Sequence, residues 1–310
     1  MSVNNDQRDT IISLLNNVIK KKNPKTIQTY VDNYLRAKKE VDFTDPDKTE
    51  EYLNKKKPST KHQYIWSILT IIELDKEKYE KTIERLKEMV DVNKKEINSH
   101  YKEQRKNIKE NENWLTLKEL DTHNKNLRSM VRMDTNGWKQ APKNKTQNEA
   151  WMLTNLYTLD LNNHPPMRID YNMEIIHKPE QVQEGNNYLL VHNKTRKEFI
   201  FGDYKTAGAY GQKKIPLSRK MNAAMNLYLL HHDSKWLFPD RSGNNITKNA
   251  LQKRIAKAYS GTGKKIGVSM LRHIVISEMV DTGAPIKEKE EFADKMAHST
   301  ATQEIYKKFN

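Results

Sequence analysis

The chain has 310 residues and ten glycines, and every glycine lies at or after Gly137. Glycine is the usual marker of tight turns and hairpins, because it adopts left-handed backbone without steric cost. Residues 1–136 must therefore be built from elements that need no such turns, which predicts an all-helical half. The remainder has room for strands. The asymmetry predicts two domains, residues 1–110 and 111–310, in a fold that is mainly α with a small antiparallel β-sheet (α+β).

The first half divides into amphipathic helices. Ile27, Tyr30, Val31, Tyr34 and Leu35 recur at i, i+3, i+4, i+7 and i+8, which is one helix face. Asn23 before Pro24, and Asp45 before Pro46, read as N-caps followed by proline at the first helical position. Ser59 opens another helix, with Ile65, Ile68, Leu69 and Ile72 on one side. Residues 75–110 predict one long charged helix with an apolar stripe that includes Ile83, Leu86, Val90 and Tyr101. The stripe is either a coiled-coil seam or, the preferred reading, the buried side of a solvated helix. Residues 105–113 serve as linker.

In the second half, residues 111–148 read as polar and irregular apart from a short helix at 114–120. A helix at 149–161 precedes strands at 168–176, 188–192 and 198–201, the last two joined by a turn. Helices are expected at 221–231, 247–259, 269–281, 287–296 and 300–309.

Lys and Arg number 55 against 40 Asp and Glu, a net charge of +15. Such an excess favours a polyanionic partner, most often nucleic acid, although a Lys- and Asn-rich proteome would also produce it. There is no cysteine, which excludes disulfides, Cys-zinc sites and thiol nucleophiles. No apolar run is long enough to span a membrane, and the first residues lack a signal-peptide core, so an intracellular protein is expected, with no membrane partner. The GTGKK stretch at residues 261–265 lacks the spacing and the Ser/Thr of a phosphate-binding loop. Neither a nucleotide cofactor nor a metal is expected.

Four segments carry chemistry together. NHPPMRIDY holds Arg168, FGDYKTAGAYG holds Lys205, SMLRHIVISEM holds Arg272 and His273, and MAHSTATQEIYKKF holds His298 with Tyr306 eight residues later. In this order and context they resemble the catalytic domain of the tyrosine recombinases, the phage-integrase-like family, and the first-half helices resemble its helical core-binding domain. The resemblance implies Arg168, Lys205, Arg272 and His298 as catalytic residues and Tyr306 as nucleophile. Ser269 stands where the family has its first histidine. Serine cannot carry protons near neutral pH as imidazole does, so that work would shift to Lys205 and His298.

The resemblance further implies double-stranded DNA as partner, self-association on it as dimer to tetramer, and strand cutting and rejoining through a 3′-phosphotyrosine. A viral or mobile-element origin, and a location wherever DNA is (nucleus, cytoplasm or virion), are expected with it. Two other functions fit the same residues: a type IB topoisomerase and an inactive DNA-binding protein. Taken singly, each residue has an ordinary reading. Arg272 lies among Leu271, Ile274 and Val275, where a structural salt bridge is its main rival role.

Overall fold

The computed structural model describes residues 3–18, 24–280 and 285–309. The chain forms two compact units, Met1–Glu103 and Gln104–Asn310. The cap expected at Asn23 and the helix end expected at Asp281 lie outside the described residues.

The first unit is helical: α1 (Val3–Val18), α2 (Pro24–Lys38), α3 (Pro46–Asn54), α4 (Pro58–Ile72) and α5 (Lys76–Glu103). Its core gathers the predicted apolar faces, with Ile27, Val31, Leu53, Ile65 and Ile68 almost fully removed from water. Asp45 caps α3 by accepting from the backbone of Lys48. Helix α4 starts one residue before the expected Ser59, because Pro58 occupies its first turn behind Lys57. Helix α5 stops at Glu103 rather than 110, where Gln104 turns left-handed at φ 50°. Ile83 and Leu86 are buried in the unit's core, whereas Tyr101 is exposed. The stripe is thus the buried side of a helix over its first half.

The second unit begins with α6 (Ile108–Asn113), α7 (Leu117–Asp134) and α8 (Lys145–Thr158). Helix α6 occupies the expected linker, held by a reciprocal cap between Asn107 and Glu110. Helix α7 takes up residues 117–134 of the stretch 111–148 expected to be largely irregular. Thr116 and Glu119 form its capping box, but it buries only Leu120, Asn124 and Val131, so its periodic signal is faint. Helix α8 is buried all round from Trp151 to Tyr157.

Four strands follow: β1 (Glu174–Ile176), β2 (Asn187–Val191), β3 (Lys197–Phe201) and, after the short α9 (Ala207–Tyr210), β4 (Lys213–Pro216). They lie in the order β1-β2-β3-β4. The sheet is mixed rather than antiparallel, because β1 runs parallel to β2. The connection at 177–186 is long enough to carry the chain back before it pairs. The expected strand at 168–176 shrinks to its last three residues. The backbone carbonyls of Arg168 and Asp170 accept instead from the side chains of Tyr157 and Asn187. Strand β4 carries little sequence signal, since its Lys213 and Lys214 belong to an edge strand with alternate residues exposed.

Helices α10 (Arg219–Leu229), α11 (Lys248–Ala258), α12 (Val268–Met279), α13 (Ile286–Lys295) and α14 (Thr300–Tyr306) complete the unit. Its core packs Trp151, Leu156 and Tyr157 of α8 with Phe199, Phe201 and Leu271.

Among the described residues, Gly202 is the glycine whose Cβ would clash with backbone. A Cβ on Gly202 would sit 2.6 Å from the carbonyl oxygen of Asn186, and the Gly202 N–H donates to that same oxygen at 3.1 Å. Gly202→Ala is expected to destabilise the protein by about 1–3 kcal/mol, the usual cost of forced overpacking. A urea melt of both proteins measures the difference.

Candidate active site

Four elements of the second unit bring their polar residues to one place. The first is the segment between α8 and β1. The buried phenol of Tyr157 donates to the carbonyl of Arg168 at 3.1 Å, which fixes the backbone there. Two residues on, Asp170 is buried and pairs with Lys248 at 3.0 Å. Lys248 also meets Asp203 at 3.1 Å. Asn187 donates to the carbonyls of Asp170 and Asp203, both at 2.9 Å, and accepts from the N–H groups of Gly202 and Asp203. One polar network therefore joins the Arg168 segment to the turn that carries Lys205.

Helix α12 supplies Arg272. Its apolar positions Leu271, Ile274, Val275 and Ile276 drive it into the core, and Arg272 is carried in with them at 1% exposure. No carboxylate pairs with it among the described residues, so the salt-bridge role does not apply. Instead it donates to the carbonyl of Pro166 at 2.6 Å and to Nδ1 of His298 at 3.1 Å. Its guanidinium carbon lies 4.9 Å from the centre of the Tyr306 ring. Burial pulls its pKa down, but arginine starts so high that it stays charged.

The turn between α13 and α14 supplies His298, which is 2% exposed. Guanidinium can only donate, so His298 must accept at Nδ1 and carry its proton on Nε2. Burial, with the charges of Arg272 and Arg168, pushes its pKa down to about 3. His298 Nε2 and Arg272 Nε are both buried without a hydrogen-bond partner among the described residues. Leaving such donors unmade is costly. Two orphaned donors beside arginine charge suit a ligand that only accepts hydrogen bonds and carries negative charge.

Tyr306 ends α14. Burial raises its pKa, but Arg272 and Arg168 outweigh burial and the net shift is downward. This phenol is therefore easier to ionise than tyrosine in water. Tyr157 and Tyr171, buried nearby, are both driven upward, chiefly by burial.

Lys205 is placed differently. It is exposed in the turn after β3 and makes no hydrogen bond or ion pair among the described residues. Its neighbour Thr206, however, donates to the carbonyl of Ala297 at 2.9 Å, and Lys213 pairs with Asp294 at 2.8 Å. The Lys205 turn is thus fastened to the His298 turn. Ala297 is held left-handed at φ 53°, a conformation costing about 1–3 kcal/mol outside glycine. Ser269 is exposed in the first turn of α12, one turn ahead of Arg272. Arg168, Arg272, His298 and Tyr306 converge, while the exposed Lys205 and Ser269 make no side-chain contact with them among the described residues. Thr206 and Ala297 carried no sequence signal, because their roles rest on backbone geometry.

Residues 182–308 match the phage integrase family. The chain is similar to tyrosine recombinase XerC of Neisseria meningitidis serogroup C and of serogroup B. Each is 29% identical over 106 residues, covering 32% of this chain and 34% of the relative. The chain thus spans about a third of the length of these curated relatives. A crystal structure of XerA recombinase aligns over 98% of this chain and 94% of its own, with a TM-score of 0.41 and 13% identity.

The His298 shift has a consequence for stability. Its folded pKa lies below the unfolded value of about 6.5, so as pH falls the unfolded chain takes up a proton that the folded chain refuses. Stability is lost from about pH 6.5 downward, by up to about 1.4 kcal/mol per pH unit. His298→Gln is expected to show a shallower acid slope than wild type in urea midpoints measured across that range.

Proposed function

We propose that this chain, a member of the phage integrase family of tyrosine recombinases through residues 182–308, is a site-specific DNA recombinase working through a 3′-phosphotyrosine at Tyr306. The observation that carries the reading is the pair of buried, unpartnered donors on Arg272 and His298, beside the one phenol of the cluster whose pKa is shifted down. A DNA phosphodiester is an acceptor-only anion and satisfies both donors at once.

Each step follows from a side chain's chemistry. Arg168 and Arg272 hold the non-bridging oxygens, because guanidinium is permanently charged and binds two oxygens together. His298 donates through Nε2. This fixed positive charge is worth most as negative charge builds on the phosphorus substituents. Tyr306 loses its proton to solvent, helped by the two arginines, and its oxygen attacks the phosphorus. The bond to the 5′-oxygen breaks, and Lys205 gives that oxygen its proton. DNA closing over the exposed turn brings Lys205 to the scissile bond. The phosphotyrosine keeps the energy of the phosphodiester, so attack by a 5′-hydroxyl rejoins strands without a nucleotide. Exchange between two duplexes further requires self-association on DNA.

Tyr306→Phe removes one oxygen and is expected to leave folding and DNA affinity unchanged. The test uses duplexes that the protein selects from a randomised library, supplied nicked so that a cleaved end diffuses away. Wild type is expected to accumulate a covalent adduct on a denaturing gel and the Phe variant none. Adduct formation by Tyr306→Phe would move the nucleophile elsewhere. Relaxation of plasmid with no site preference would favour a topoisomerase, and absence of any adduct would favour a binding protein.

Arg168→Ala is expected to slow cleavage by about 10²–10³, as loss of a transition-state donor does, with little change in affinity. For the buried Arg272, Arg272→Lys keeps a charge but loses the fork and is expected to act in the same direction. Single-turnover rates at saturating DNA, set beside binding isotherms, separate the two effects. A parallel fall in both would make these residues simple anchors.

A further inference from the structure

The nucleophile ends its helix, and that placement leaves a backbone group to be satisfied. The last four carbonyls of a helix have no partner within it. The carbonyl of Tyr306 is one of them, and it accepts from Nδ1 of His273 at 2.6 Å. The His273 ring lies 4.9 Å from the Tyr306 ring, centre to centre. His273 follows Arg272 on α12, so consecutive residues of one helix grip the same tyrosine at two ends. Arg272 covers the ring, and His273 holds the carbonyl.

Around His273 the tail is fastened further. Lys308 donates its backbone N–H to Ser277 of α12 at 2.8 Å. Its ammonium lies 3.9 Å from Glu110 and 3.5 Å from the carbonyl of Arg105. Glu110 lies 3.7 Å from Nε2 of His273 on the other side. The backbone of Phe309 donates to the carbonyl of Gln104 at 2.7 Å. Burial keeps His273 below the usual histidine range. With the carbonyl as acceptor its proton sits on Nδ1, and protonation of Nε2 would leave that bond intact.

The geometry points to His273 as a positioning residue for the nucleophile: its Nδ1–H clamps the peptide group after Tyr306 and so fixes where the phenol can reach. The assignment rests on Tyr306 being the nucleophile. An error of about 1 Å in such a placement costs on the order of 10²-fold in rate, whereas DNA affinity does not depend on it.

Two variants in the full chain test this. His273→Phe keeps an aromatic ring against Tyr306 and removes the donor. His273→Asn puts an amide N–H near the position of Nδ1. Amide exchange at residues 307–309 is expected to speed up by about 2–10-fold in the Phe variant, the weight of one neutral hydrogen bond, and to return towards wild type in the Asn variant. Single-turnover adduct formation on the library-selected nicked duplexes is expected to fall by about 10–100-fold in the Phe variant. The Asn variant should recover most of it, with affinity and the shape of the pH–rate profile unchanged. Wild-type exchange and rate in His273→Phe would overturn the assignment. So would equal loss in both variants, or a displaced pH profile, which would mean acid–base work instead. Altered exchange with no adduct from wild type would sink the recombinase reading and leave the clamp as a structural feature only.

Discussion

Arg272 is a permanent charge carried into the core by the apolar residues on either side of it, and its surroundings are arranged around that fact. Burying an unpaired ion costs several kcal/mol even after relaxation. Here the compensation is a carbonyl, an imidazole nitrogen and the face of a phenol ring. All three are weaker partners than a carboxylate. A carboxylate would quench the charge, whereas these neutral partners orient it and leave it available. One consequence is the tautomer of His298. Because guanidinium only donates, the imidazole is forced to present its proton at Nε2, and its low pKa follows from sitting in the same field. Another is the downward shift of Tyr306, whose burial alone would have pushed it up.

The charge is useful only if segments far apart in sequence stay in register, and the seams between them are polar. Asn187 bridges the Arg168 segment and the turn after β3 with both ends of its amide. Thr206 bridges that turn to the peptide before His298. Each such bond is worth about 0.5–1.5 kcal/mol net, so none dominates stability. They select one arrangement among several that hydrophobic packing alone would permit. Ala297 shows the cost of that selection. A non-glycine residue is held left-handed where the chain must turn sharply to aim His298, and neighbouring hydrogen bonds hold it there.

Much of this was legible in the sequence, for definite reasons. Helix faces such as Ile65, Ile68, Leu69 and Ile72 were readable because burial follows the 3.6-residue period. That Arg168, Lys205, Arg272, His298 and Tyr306 belong together was implied only by the resemblance to tyrosine recombinases, and Lys205 makes no contact with the other four among the described residues. Helix α7 is faint in the sequence because it buries only three positions and its signal lies in the Thr116–Glu119 cap. The parallel pairing of β1 is not legible in the sequence, because register and direction are tertiary choices that a three-residue strand does not encode. The clamp by His273 was invisible because its partner is a backbone carbonyl 33 residues away, and every residue type has a carbonyl.

Helix α14 has seven residues, too short to be stable by its own hydrogen bonds. It persists because α12 and α13 pack against it and its last carbonyls find partners. Such elements sit at the low end of the local stability range, which suits the role proposed for Tyr306, in which it attacks a phosphorus, remains bonded to it and leaves again. Too rigid a hold would fix the phenol in one of those states. Too loose a hold would lose the alignment with the arginines. The grip combines a cation–ring contact with a single carbonyl bond, and neither is strong alone. Together they hold the residue in place while leaving it within a few kcal/mol of release.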